Sequence, residues 1–282
     1  MTQVIEKEVQ EVVIQATQGW GHLQLGEVWR YRDLIFLLFW RNLKGRYQQM
    51  AFGTLWVILN PIVSTLINTL IFSVIANLPS DDIPYPLFNY AALLPWLLFT
   101  GVFTGVSRSL MINHALMKKI YFPRLVFPIV TVLESLLNFV VNLFVLFILM
   151  LFYGRSPDFL RLLLVLIPVL VVSITAGTAL GLWFAPWSVH YRDVSQIQTY
   201  LQQFMMYTVP VIYSMSVIPD SILPFYKLNP MVGAVESFRW ALFDTGSPPD
   251  AYMFLSWLIS LLIMILGLFY FRRSERSIVD IA

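Results

Sequence analysis

The 282-residue chain contains no cysteine. A disulfide, a thiolate nucleophile and a cysteine-type metal site are therefore excluded. Charge is scarce too: Asp, Glu, Lys and Arg make up 12% of residues, against 58% hydrophobic. A soluble domain carries about a quarter charged residues, so this chain cannot clothe a water-facing surface with them. The dipeptide Gly-Lys never occurs, so no G-x-x-x-x-G-K-[ST] loop can cradle nucleotide phosphates. His22, His114 and His190 stand far apart, which argues against a metal cluster. The long apolar runs hold one acid, Glu134, and no carboxylate pair. These absences point away from an enzyme and from an ion-driven pump. An intramembrane acid is a functional candidate by default, yet Glu134 could equally reach headgroup water or a nearby arginine; both readings stand.

What the chain has instead is apolar length, and its class is an all-α integral membrane protein. Six spans are predicted, over 52–76, 87–107, 126–153, 160–186, 196–218 and 252–271. The first, "FGTLWVILNPIVSTLINTLIFSVIA", carries no charge at all. Pro168 and Pro210 predict kinks in the fourth and fifth. Six spans put both termini on one side. Fourteen of the 18 Lys and Arg residues fall on that side, so the positive-inside rule predicts cytoplasmic termini. Glu6, Glu8 and Glu11 occupy the place of a basic signal-peptide n-region, which agrees with a cytoplasmic start.

Residues 27–50, "EVWRYRDLIFLLFWRNLKGRYQQM", are too short in apolar length to span. Arg30, Asp33, Arg41, Lys44 and Gln48 recur at helical spacing, with Arg32 and Arg46 nearby. The pattern predicts an amphipathic interface helix, its aromatic side in lipid and its cations near phosphates. It serves as a membrane-surface anchor or a docking surface, and the two are compatible. The segment 218–250 is rich in Leu, Phe and Trp yet broken by Pro and Gly. It predicts short external helices re-entering the membrane where protein shields their backbone, with Glu236 and Arg239 able to pair three apart.

Aromatic residues also recur at helical spacing: Trp96, Phe99 and Phe103 in the second span, and Tyr200, Phe204 and Tyr207 in the fifth. Trp183, Phe184 and Trp187 cluster near the end of the fourth. Flat rings suit stacking on sugar C–H faces, although belt or core packing is the commoner role of any single ring. Asn60, Asn68, Asn138 and Asn142 are rare residues in lipid and should face helices or a cavity. With Trp56 and Tyr213, the second-span and fifth-span rings and Asn60 make up a candidate substrate path.

In order, the interface segment, "GTLWVILNP", "KKIYFPRLVFP", "VHYRDV" and "NPMVGAVESFRWALF" resemble the permease subunits of type-2 ABC exporters. Within that family they resemble exporters of O-antigen, capsular polysaccharide or teichoic acid. The resemblance runs from residue 27 to 272 and leaves out the first 26, a cytoplasmic N-terminal segment. It implies an interface helix over 27–50, a six-span transporter domain over 51–272 and a cytoplasmic tail over 273–282. It further implies a multi-pass homodimer in the bacterial inner membrane, among membrane lipids, with two copies of a separate ATPase subunit. ATP and Mg would sit on that partner, none in this chain, and the cargo would be a lipid-linked polysaccharide; no nucleic acid is involved. A coupling helix touching the ATPase would use His114, Leu116, Lys118, Lys119, Ile120, Tyr121, Phe122 and Arg124, and a second contact Tyr191, Arg192 and Asp193. Two rivals remain. One is a drug or lipid permease, which the 16% aromatic content disfavours. The other is a membrane transferase using His190 and Asp193 from one helical face.

Overall fold

A computed structural model describes residues 25–47, 53–117, 122–191 and 193–281. Lys118, Lys119, Ile120, Tyr121 and Arg192 lie outside them, as do Gln48 and the side chain of Arg46. All regular structure among the described residues is helical. In chain order it comprises α1 (Leu25–Arg30), α2 (Arg32–Tyr47), α3 (Trp56–Asn68, continued as a π-helix over Thr69–Ile75), α4 (Tyr85–Ile112) and α5 (His114–Met117). There follow α6 (Val126–Phe152), α7 (Phe159–His190), α8 (Val194–Tyr207), α9 (Leu223–Tyr226), α10 (Pro230–Phe243) and α11 (Ala251–Ile281).

Among the described residues, five stretches are long and apolar enough to cross a membrane: Trp56–Ile75, Tyr85–Ile112, Val126–Phe152, Phe159–His190 and Ala251–Ser274. Each lies close to a predicted span. The predicted fifth span, 196–218, is different. Its helix α8 has 14 residues, about 21 Å at the usual rise, short of a hydrocarbon core of about 30 Å. Pro210 does more than kink it: the helix stops at Tyr207. Proline removes a donor and disfavours the helical region for the residue before it. In α7, by contrast, the helix runs unbroken through Pro168.

Local chemistry sets the other ends. Gly154, at φ +66°, closes α6 in the left-handed region that glycine enters without cost. Asp158 caps α7, its carboxylate accepting from the N–H groups of Leu160 and Arg161 at 3.1 Å each. Asn229 caps α10 through the Met231 N–H at 3.1 Å, with Pro230 in the first helical position.

The core is built on α4, which packs against α7, α6, α10 and α3. Helices α4 and α7 run parallel, and glycine lets them meet closely. A Cβ on Gly177 would stand 2.7 Å from the Phe99 carbonyl oxygen, and one on Gly181 2.6 Å from Val106 Cβ. At the far end the Ser188 hydroxyl donates to the Ser107 carbonyl at 2.7 Å. With no aqueous hydrophobic effect between helices in lipid, such close packing is a main source of association.

The interface helix departs from its prediction. It is split at Tyr31 into α1 and α2, and it is not simply two-faced. Val28 and Leu38 are buried and Tyr31, Leu34, Ile35 and Phe39 pack against the core, while Trp29, Phe36, Leu37 and Trp40 are exposed. Arg30, Arg32, Arg41 and Lys44 are cationic and exposed or nearly so. The segment therefore has apolar residues on opposite sides, because one side must meet the bundle as well as lipid.

Candidate functional site

Three regions carry the candidate residues. The first is the break after α8. Carbonyls freed where a helix ends inside an apolar bundle need donors, since no water reaches them. Here side chains supply them. Val211 O accepts from Asn89 Nδ2 and from Arg239 Nη2, both at 3.1 Å. Ile212 O accepts from the Tyr85 hydroxyl at 2.7 Å, and Thr208 O from Asn229 Nδ2 at 3.3 Å. Tyr213, proposed for the path, donates its hydroxyl to Tyr207 O at 2.8 Å and meets the Tyr226 hydroxyl at 2.9 Å. Its hydroxyl holds the break together.

Arg239 is the centre of this region. It is buried, donates from Nη1 to Glu236 Oε1 at 3.1 Å, and lies 3.5 Å over the centre of the Phe88 ring. Glu236 is buried beside it, so the expected pair forms and the charge is neutralised within one helix. The surrounding loops are tied by Lys227 to Asp250 at 2.9 Å, by Ser214 to Asp81 at 2.7 Å, and by Arg161 to Asp244. Burial pushes the Asp250 carboxyl up, but the hydrogen bonds from Lys227 and the Met253 N–H, with the lysine charge, outweigh it and hold it below the usual range.

The second region is the candidate path, where the two aromatic rows separate. Trp96 (4% exposed), Phe99 (1%) and Phe103 (0%) are core residues. Their rings pack on one another and on Phe184 of α7. Enclosed where α4 meets α7, these three rings keep almost no surface of their own within the chain. Trp183 likewise stacks on Tyr270 of α11 at 4.9 Å. On α8 the row is open, with Tyr200 69%, Phe204 68% and Tyr207 65% exposed. The opposite side of α8 is held to α4 by Gln202 Nε2, which donates to the Thr104 hydroxyl at 2.8 Å. Trp56 and Asn60 are exposed on α3. Asn68 and Asn142 do face helices, pairing with Asn89 at 3.2 Å and with the Tyr90 hydroxyl at 3.0 Å.

The third region is the opposite end of the bundle. Phe122, placed by prediction on a docking face, is buried against Tyr31 (6.5 Å) and Phe127 (5.2 Å). An aromatic at the foot of α6 is covered by the interface segment before any partner can reach it. Leu116 is partly buried, and His114 and Arg124 are half-exposed. Tyr191 and Asp193 are exposed. His190 ends α7 and Asp193 precedes α8, with extended backbone at Tyr191 between them. They do not share a helical face, which removes the geometric ground for the transferase rival.

The predictions missed the polar contacts of α2. Asn42 Nδ2 donates to Glu134 Oε1 at 2.9 Å and Arg41 Nη2 to Asn113 Oδ1 at 3.0 Å. The signal available was Glu134 itself, the one acid within the predicted spans.

A helical bundle whose described residues include five membrane-length helices, with a helix break shielded inside it, is a multi-pass membrane protein. The chain belongs to the ABC-2 type transporter family, whose model matches residues 33–243. It is similar to the O-antigen export system permease protein RfbA of Myxococcus xanthus, with 34% identity over 230 residues, 80% of this chain and 85% of that one. RfbA of Klebsiella pneumoniae is 28% identical over 250 residues, 88% of this chain and 95% of its own. The polysialic acid transport protein KpsM of Escherichia coli is 24% identical over 247 residues, 86% and 93% of the two chains.

Proposed function

We propose that this chain is the membrane subunit of an ATP-driven exporter that moves a lipid-linked polysaccharide of the O-antigen type across the bacterial inner membrane. It works as a homodimer with two copies of a separate ATPase subunit. The likeness to the export permeases supports the class of cargo, and the observation that carries the reading is the stripe on α8. Two phenols and a phenyl ring lie open along one helix, with an inward face fixed to α4. Such a surface offers stacking area and hydroxyl groups to successive sugars without gripping one of them. On this reading both termini are cytoplasmic, and α8, the break and α9–α10 together make the fifth crossing and its re-entrant closure. The donors around Val211 and Ile212 are what such a closure requires. Likeness to a polysialic acid transporter supports a capsular polysaccharide as the second choice of cargo.

The test is reconstitution of the chain with its ATPase in liposomes loaded with a lipid-linked glycan. ATP-dependent movement of glycan across the bilayer is expected, and Tyr200→Ala with Phe204→Ala should slow it while ATP hydrolysis continues. ATP-driven movement of small amphiphiles but never of glycan would overturn the reading.

A further inference from the structure

Residues 41 and 42 of α2 are adjacent, so their side chains leave the helix about 100° apart. They reach two different helices. Asn42, half-buried, donates to Glu134, which is buried within α6. Arg41 donates from one nitrogen, Nη2, both to Asn42 Oδ1 at 3.1 Å and to Asn113 Oδ1 at 3.0 Å. Asn113 is itself buried and makes every type of contact open to it. Its Nδ2 donates to Ser109 O at 2.9 Å and closes the end of α4. Its own carbonyl accepts from Leu116 N at 2.9 Å and Met117 N at 3.1 Å, and so starts α5. One residue thus joins the end of α4, the start of α5 and the cation of α2. Arg41 is exposed, yet its guanidinium is aimed at this joint. On the other flank, Tyr31 of the same segment rests on Phe122. The interface segment therefore holds the α5 connection from both ends.

We propose that Asn113 is a positioning residue: it is the joint that passes movement of α5 to α2, and Arg41 and Asn42 carry that movement on to Glu134 in α6. The inference rests on the exporter reading in one respect, that α5 belongs to the part of the chain facing the ATPase. An element tied at one point to each of two helices can pass movement between them when it has two discrete arrangements, and the turnover test below asks whether it does.

The test uses the complete complex of this chain with its ATPase. Arg41→Met and Asn113→Ala should each lower ATP turnover about fivefold, with the ATPase still co-purifying in full yield. The double variant should be no slower than the slower single one, because both remove the same link. Asn113→Asp keeps an acceptor for Arg41 and should restore turnover. Should Asn113→Ala not fold, Asn113→Asp in the Arg41→Met background decides, since it must then be as slow as Arg41→Met alone. Multiplying defects, unchanged turnover, or loss of the ATPase from the purified complex would each overturn the joint; the last would make Asn113 a shaper of the docking surface. A wild-type complex that hydrolyses ATP but moves no lipid-linked glycan would sink the exporter reading, while the turnover cycle would still judge the joint.

Discussion

Two rows of rings with the same helical spacing meet opposite fates. On α4, Trp96, Phe99 and Phe103 are sealed within the chain; on α8, Tyr200, Phe204 and Tyr207 stand open. What separates them lies on their neighbours. The α4 row faces a helix whose glycines at 177 and 181 admit backbone contact, so its rings are enclosed. The α8 helix meets α4 through the Gln202 amide and the Thr104 hydroxyl and lays Leu201, Met205 and Met206 against the core, which leaves its rings outward. The chemistry of the rows follows the same division. The enclosed row has two phenyl rings with no polar atom and one indole N–H, whereas the open row carries two phenols that would each need a partner if buried.

The harshest way to break this contrast is Arg239→Ala. It leaves Glu236 charged and buried, strips a donor from Val211 and Phe88, and frees the bend that ends α8. A loss of about 3–5 kcal/mol is expected, seen as aggregation or a collapsed melting temperature in detergent. Next comes a matched pair. Phe103→Ala should cost about 3 kcal/mol, measured by thermal unfolding, and lower export only through loss of folded protein. Phe204→Ala should change stability by under about 0.5 kcal/mol and yet reduce glycan export in liposomes. If Phe204→Ala exported normally, the open row would be a lipid-facing belt.

Tyr200→Phe sharpens the comparison further. It keeps the ring and removes the hydroxyl, so export should fall less than with Tyr200→Ala, and the difference reads the share of hydrogen bonding. The smallest effect is expected at a half-exposed ion pair, set against the buried Glu236–Arg239. Asp250 has its folded pKa depressed. Its stabilising contribution is therefore present above the ordinary aspartate value of about 3.9 and is lost as pH falls through the folded value. Asp250→Asn should cost about 0.5–1 kcal/mol at pH 7 and remove that part of the acid sensitivity, as followed by melting temperature against pH.

The sequence made most of the bundle legible because its first four predicted spans and the last are long apolar runs, holding the single acid Glu134, with ends marked by Gly, Pro, Asn and Asp. The pairing of Glu236 with Arg239 was legible too, being local and at helical spacing. The end of α8 was not. "YTVPVIYSM" is as apolar as the turns before it, and Pro210 alone does not distinguish a kink from a stop. The side chains that make a stop tolerable, Tyr85 and Asn89, lie more than a hundred residues earlier, where no periodicity points to them. The fates of the two aromatic rows were hidden for the same reason, since burial of one ring is decided by glycines on another helix.

The partners of Arg239 also have an order along the chain. Phe88, Val211 and Glu236 all precede it. As the polypeptide leaves the ribosome, each acceptor has been made before the guanidinium that needs it. The guanidinium, as it is buried, then meets waiting oxygens, and α10 can settle only where α4 is already in place. The arrangement gives folding a direction, in which an error in α4 would be felt as a failure to seat α10.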